Sequence, residues 1–167
     1  EGRIAAGSAI PVAFHVISDK KGVGDVPAAW LDAQIEILNR CYAGRDYDGN
    51  PVAGAANTGY TFYKASVDRS RNPGWHKMLP GSSREYHAKL RLGVDPKTTL
   101  NIYTAGPGYG LLGWATPPEW LASLEVWHGV VIHWASLPGG PFTYYNLGAT
   151  AVHEVGHWLG LAHTFEG

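Results

Sequence analysis

Cys41 is the only cysteine in the sequence. A disulfide within the chain is therefore excluded. Two readings of the thiol stay open: a small buried apolar group on a helix, or one half of a bridge whose partner lies outside this chain. Charge is scarce, at 16% of residues, and it is balanced, with 13 Lys and Arg against 14 Asp and Glu. No basic block of the kind that tracks a phosphate backbone is present, so nucleic acid is not an expected partner. Long apolar runs are also missing. Stretches such as Gly129–Ile132 are far too short to cross a bilayer, so no membrane association is expected. There is no internal repeat and no low-complexity tract. Low charge does not imply disorder here, because seven Trp and nine Tyr supply ample surface to bury. The 167 residues suit one domain with a real core. A start at Glu1 rather than Met suits a processed or trimmed chain.

Hydrophobic periodicity predicts strands and helices in alternation. Ile10–Ser18 is apolar and β-branched and reads as a buried strand. Asp25 and Pro27 supply a helix cap and an early helical proline. Leu31, Ile35, Leu38 and Tyr42 then form one helical face, with Gly44 as a stop. Residues 44–59 are rich in Gly, Asn, Asp and Pro and read as a loop. Tyr60–Arg69 alternates like a strand with one exposed face. Arg84–Leu92 can form a short helix. Leu100–Thr104, Leu111–Thr116 and Gly129–Trp134 read as further strands, Pro138–Pro141 as a turn, and Thr150–Leu161 as the last helix. The expected fold is α/β (α+β): a mixed sheet with a backing helix and a second helix near the C-terminus.

The chemistry lies in that last helix. Four residues along a helix is a rise of about 6 Å and just over one turn, so His153 and His157 project from the same face. Two imidazoles so placed can reach one metal ion at about 2.0–2.1 Å. A continuous helix would carry His163 roughly 9 Å beyond His157. Gly160 can end the helix in the left-handed conformation and let the chain fold back, bringing His163 to the same ion. Three neutral imidazoles and a water make the open arrangement of catalytic zinc, whereas structural zinc is closed by four protein ligands. Glu154, beside the first ligand, is placed to touch that water and act as general base. The two-His-one-Glu pattern alone would arise by chance in roughly one or two of a hundred chains of this composition. Adding Gly160 and His163 lowers that to roughly one in ten thousand. The pattern predicts a zinc-dependent endopeptidase. The rival reading is a zinc-binding or interaction module without turnover, and the presence of Glu154 argues against it.

The remaining candidates have plainer explanations. His15 and His133 lie in apolar strands and read as satisfied core or edge histidines. His76, His87 and His128 lie in polar surroundings and are expected to be exposed. Trp158 and Leu159 read as core-facing, and Trp75, Trp114, Trp120 and Trp127 as packing residues. Gly139-Gly140 reads as a tight turn, since no helix bearing a lysine follows it.

The pattern HExxHxxGxxH, spanning His153 to His163, is that of the metzincins. The flanking words IPVAFHVI, LNIYT, LGWATPP, GVVI, LPGG and YNLGATAVHEVGHWLGLAHTFEG, in this order from Ile10 to Gly167, resemble the pappalysin family, especially its secreted microbial members. The resemblance implies His153, His157 and His163 as zinc ligands and Glu154 as base. It also implies an extended peptide or protein substrate held on a sheet-edge strand that includes Leu111–Thr116. Tyr60–Arg69 would be an inner strand and the helix around Leu31–Tyr42 would back the sheet. Such proteins have a Met-turn after the third histidine, but the only methionine here is Met78. Residues 1–167 therefore look like the upper, N-terminal subdomain of a metzincin domain. A C-terminal companion segment, with calcium as a further cofactor there, is what the resemblance implies for the rest.

Overall fold

The computed structural model describes Ala5 and residues 7–163. Nine principal elements follow in order: β1 (Ala9–Ser18), α1 (Ala28–Tyr42), β2 (Thr61–Arg71), α2 (Pro73–His76), α3 (Ser83–Leu92), β3 (Leu100–Ala105), β4 (Gly113–Ala115), β5 (Val130–His133) and α4 (Ala149–Trp158). Three single 3-10 turns punctuate the second half, at Pro118–Trp120, Glu125–Trp127 and Trp134–Ser136. The strands form one sheet in the order β2-β1-β3-β5-β4. β1, β2, β3 and β5 are parallel, and β4 runs antiparallel to β5 at the edge.

Helices cover both faces of the sheet, which is why β1, β3 and β5 are continuous apolar runs rather than alternating ones. On one face Ile10, Val12, Phe14, Ile102 and Ile132 pack against Leu31, Leu38 and Tyr42 of α1 and Ala151, Val155 and Trp158 of α4. On the other, Ile17, Tyr103 and Val131 pack with Met78 and Ala88, alongside Trp75 and Trp114. One buried polar network ties the central strands together. The His15 ring, fully buried, lies 2.5 Å from Asp68 Oδ2 through Nδ1 and 2.9 Å from Asn101 Oδ1 through Nε2, tying β1 to both its neighbours. Asn101 is held in turn by the backbone of Val94, whose N–H donates to Oδ1 at 2.8 Å.

Several expectations need correction. The strand expected at Tyr60–Arg69 is Thr61–Arg71, and it is the outer edge of the sheet rather than an inner strand. Most of its residues are exposed, with α1 packed beside part of it. Asp25 does not cap α1. The N-cap position is Pro27, without a side-chain bond, and Asp25 instead pairs with Arg69. The proline still fits, because its fixed φ enters the first turn and its missing N–H is not needed there. In α1 the buried face includes Gln34 and Ile37, with Ile35 only half-buried at its margin. The edge strand is regular only over Gly113–Ala115, and α4 ends at Trp158 rather than Leu161. The short helix expected at Arg84–Leu92 begins one residue earlier, capped by Ser82 Oγ, which accepts from Glu85 N.

Candidate active site

α4 presents three faces with three tasks. Ala151, Val155 and Trp158 enter the core. Thr150 and Glu154, one turn apart, face β4. His153 and His157 point away from the core toward solvent, at the spacing that stacks them on one side.

The helix ends in a Schellman motif. Gly160 sits at φ +98°, its N–H donating to the His157 carbonyl at 2.9 Å, while Leu161 N–H reaches the Gly156 carbonyl at 2.9 Å. This reversal does two things. It returns the chain so that the His163 ring meets the other two, and it places the Leu161 carbonyl 2.7 Å from His157 Nδ1. A carbonyl only accepts, so Nδ1 of His157 carries the hydrogen and Nε2 is left as a bare lone pair.

The three Nε2 atoms form a triangle. His153 to His157 is 3.0 Å, His157 to His163 is 3.0 Å and His153 to His163 is 3.1 Å. No set of neutral tautomers makes three hydrogen bonds there, because a hydrogen on one nitrogen can bridge only one pair while Nε2 of His157 has none to give. A single cation shared by three lone pairs satisfies all of them, and nitrogens at these separations can each bond one ion at about 2.0–2.1 Å. The donor set thus fits zinc. Among the described residues these three are the only His, Cys, Asp or Glu cluster with such convergence. Burial and the two neighbouring rings hold the His153 imidazole below its ordinary pKa, which favours the neutral form that binds a metal.

Glu154 is not part of that triangle. It is buried against β4, and burial pushes its carboxyl above the usual carboxylate range, opposed by His157 and His163. The strand makes room for it through Gly113. A Cβ at Gly113 would lie 3.0 Å from Glu154 Cγ, 3.1 Å from Thr150 Cγ2 and 2.9 Å from the Val131 carbonyl.

β4 also offers a free edge. Its pairs with β5 are Gly113 with Ile132, Trp114 with Val131 and Ala115 with Val130. His133 N–H donates to Leu112 O, and Thr116 N–H to Gly129 O. In an antiparallel ladder the direction alternates, so residues 112, 114 and 116 bond to β5. The N–H and C=O of Gly113 and Ala115 therefore point outward, directly over α4. Pro117, which has no N–H, ends that edge.

The three imidazoles line a cavity of about 440 Å³ together with Tyr42, Ala56 and Val152. Tyr42 Oη donates to the Val152 carbonyl at 3.1 Å, fixing α1 against α4. Cys41 also lines this cavity. It is half-buried, and burial raises its thiol pKa.

The structure brings the rings of His153, His157 and His163 together, with Glu154 on the same helix as the first two and outside their triangle. His76 and His128, expected on the surface, are buried, at 5% and 4% exposure. His76 Nδ1 lies 2.8 Å from the Ile17 carbonyl, and His128 receives the Trp158 indole N–H at 3.1 Å. His15 is buried, His133 is half-buried and His87 is exposed, as expected. The parts played by Gly113 and by the Leu161 carbonyl have no residue-type signal in the sequence. The last four residues of the motif's flanking word, Thr164–Gly167, lie outside the described residues.

No family model matches the chain. Among curated proteins it is similar to an extracellular metalloprotease of Colletotrichum graminicola, 37% identical over 163 residues that make up 95% of this chain and 52% of that protein. It is likewise similar to an extracellular metalloprotease of Sordaria macrospora, 32% identical over 173 residues, with 99% of this chain and 55% of that protein covered. The chain thus spans about half the length of the curated relatives it matches. Among solved structures it shares the fold of Tannerella forsythia mature mirolysin in complex with a cleaved peptide, with a TM-score of 0.79, 27% identity, and coverage of 93% of this chain and 64% of that one. A promirolysin mutant of the same organism superposes with a TM-score of 0.81 at 26% identity, covering 98% of this chain and 59% of that one.

Proposed function

We propose that this chain carries the zinc-binding and substrate-aligning part of a secreted zinc endopeptidase, a metzincin of the pappalysin type. One observation carries the reading: three Nε2 atoms lie 3.0–3.1 Å apart at the end of the helix whose Glu154 packs against Gly113 of the edge strand β4. The relatives' descriptions as extracellular metalloproteases support both the activity and the location. The mirolysin complex with a cleaved peptide supports a peptide substrate.

His153, His157 and His163 would hold the ion, with His157 fixed in its ligating tautomer by the Leu161 carbonyl. Zinc, when bound, supplies a Lewis acid that polarises the scissile carbonyl and makes water more acidic. Gly113 and Ala115 bind the substrate backbone in extended form through their outward N–H and C=O groups. Glu154, close under Gly113, takes the proton of the attacking water on its carboxylate and delivers it to the leaving amine nitrogen.

A second reading is a zinc-binding module without turnover. Metal analysis of the 1–167 chain, together with hydrolysis of a generic protein substrate, separates the two. One equivalent of zinc with hydrolysis supports the endopeptidase. Zinc without hydrolysis supports the module. Absence of zinc from protein made in zinc-replete medium refutes both.

A further inference from the structure

A second cavity opens on the face of β4 opposite α4. It measures about 630 Å³, and Pro80, Trp114, Pro117, Trp120, Leu124 and Trp127 supply its apolar walls. We propose that it is a substrate pocket for one large uncharged side chain, aromatic or long aliphatic, of a peptide paired to β4. This inference rests on the reading of β4 as the substrate-binding edge.

The placement follows from the strand. Side chains alternate across a strand, so Gly113 and Ala115 face α4 while Trp114 faces the other way. A peptide strand beside β4 lies about 4.8 Å away, and its own side chains alternate in the same manner. Those directed to the Trp114 face meet the cavity at the Ala115–Pro117 end. There Pro117 closes the hydrogen-bonding edge, and the 3-10 turn Pro118–Trp120 brings the Trp120 indole round as an outer wall. Trp120 is 50% exposed and Leu124 41%, so the mouth is open to a ligand.

The class of side chain follows from the polar groups at the base. The Glu85 carboxylate is the charged group in the lining, and both its oxygens are already engaged. Oε1 accepts from the Trp114 indole N–H and from Lys89 Nζ, both at 2.7 Å, and Oε2 accepts from Gly81 N–H at 2.7 Å. The Lys89 side chain is fully buried beside it and also donates to the Trp127 carbonyl at 2.6 Å. Charge is thus cancelled, and both carboxylate oxygens are bonded, within the protein. A charged guest would be desolvated with nothing to meet it, whereas an apolar guest gains three indole surfaces.

The test uses the zinc-loaded 1–167 chain with Glu154→Gln, which needs no turnover. The probes are a blocked Ala/Thr hexapeptide and its six variants carrying one Phe, with binding read by calorimetry and by indole fluorescence. Phe at one position, or at two positions separated by one residue, should tighten binding about tenfold or more, ~1.4 kcal/mol. Lys at that position should give no gain. Trp120→Ala should bring the Phe and parent peptides to within about twofold of each other, and Trp120→Leu should keep part of the preference. Equal binding of all Phe variants, or a preference untouched by Trp120→Ala, overturns the pocket while leaving the edge strand standing. Failure of every peptide to bind overturns the edge strand and the pocket together. Self-association abolished by Trp120→Ala would assign the cavity to a second copy and also overturn the proposal.

Discussion

Gly113 on the edge strand and Glu154 on α4 are packed so closely that a single added methyl at Gly113 would lie 3.0 Å from Glu154 Cγ. Gly113 is not among the glycines with positive φ, so space rather than backbone conformation calls for glycine here. The residue that offers its backbone to the free edge therefore also sets how near the carboxylate comes to that edge.

Gly113→Ala should lower kcat about a hundredfold with KM changed less than threefold, since a misplacement of about 1 Å can cost that much. Bound zinc should be unchanged. The new methyl also meets the Val131 carbonyl at 2.9 Å, so a purely structural effect must be separated. Thr150→Ser deletes the other methyl in the way, 3.1 Å from the new Cβ, and should restore part of kcat in the double variant. A loss of zinc, or a rise in KM with kcat preserved, would show that Gly113 acts on the sheet and not on Glu154.

Glu154→Gln should keep zinc and lose turnover. The carboxylate lies outside the triangle of ring nitrogens, so removing its charge leaves the ligands as they are. Loss of a positioned general base typically costs ~10² to 10⁴ in rate. Zinc content by elemental analysis and hydrolysis of one peptide on the same preparation check both halves. Near-normal kcat would exclude the role assigned to Glu154.

Gly160→Ala tests the turn that brings His163 back. At φ +98° an alanine is strained by about 1–2 kcal/mol, and its methyl meets Pro118 Cγ at 3.4 Å. Strain relieved by unwinding the turn would move the Leu161 carbonyl and His163 together. Zinc affinity, measured by competition with a chelator, should fall roughly tenfold, and Gly160→Asn should fall less because asparagine tolerates this region better. An unchanged affinity for the alanine variant would mean that the third ligand is positioned independently of the turn.

The motif was legible because its spacing carries the geometry: two histidines a turn apart and a glycine that must break the helix. The strands at Ile10–Ser18 and Leu100–Thr104 were legible because burial on both faces makes them continuously apolar. What stayed hidden depends on contacts distant in sequence. Tyr60–Arg69 reads as a strand, but nothing in its composition says that it lies outermost. His76 and His128 stand among polar residues in the chain, yet backbone carbonyls and an indole from other segments enclose them. Asp25 looks like a cap until Arg69, 44 residues away, claims it. Gly113 is one of 22 glycines, and only its neighbours across the sheet and on α4 distinguish it.

His128 should make the fold acid-sensitive. Its Nδ1 is 3.1 Å from the Trp158 indole nitrogen and 3.0 Å from the Pro96 carbonyl, and its Nε2 is buried with no hydrogen-bond partner. As a neutral ring it can accept from Trp158 through Nδ1. Protonated, it would lose that bond, turn the Nδ1 hydrogen to the Pro96 carbonyl, and bury a charge on a ring whose Nε2–H has no acceptor. Burial accordingly holds its pKa below 6.5 in the folded protein, and His133 is shifted the same way for the same reason. The sign follows from proton counting. Below about pH 6.5 the unfolded chain binds protons at these rings while the folded chain does not. Stability therefore falls with falling pH, through the window between the unfolded value and the depressed folded one, by at most ~1.4 kcal/mol per pH unit for each ring. Thermal melts between pH 7.5 and 5, on chelator-treated protein so that metal release plays no part, measure the slope. His128→Gln, which cannot charge, should melt lower at pH 7.5 but with a shallower dependence on pH. An equally steep dependence in that variant would place the acid sensitivity elsewhere in the molecule.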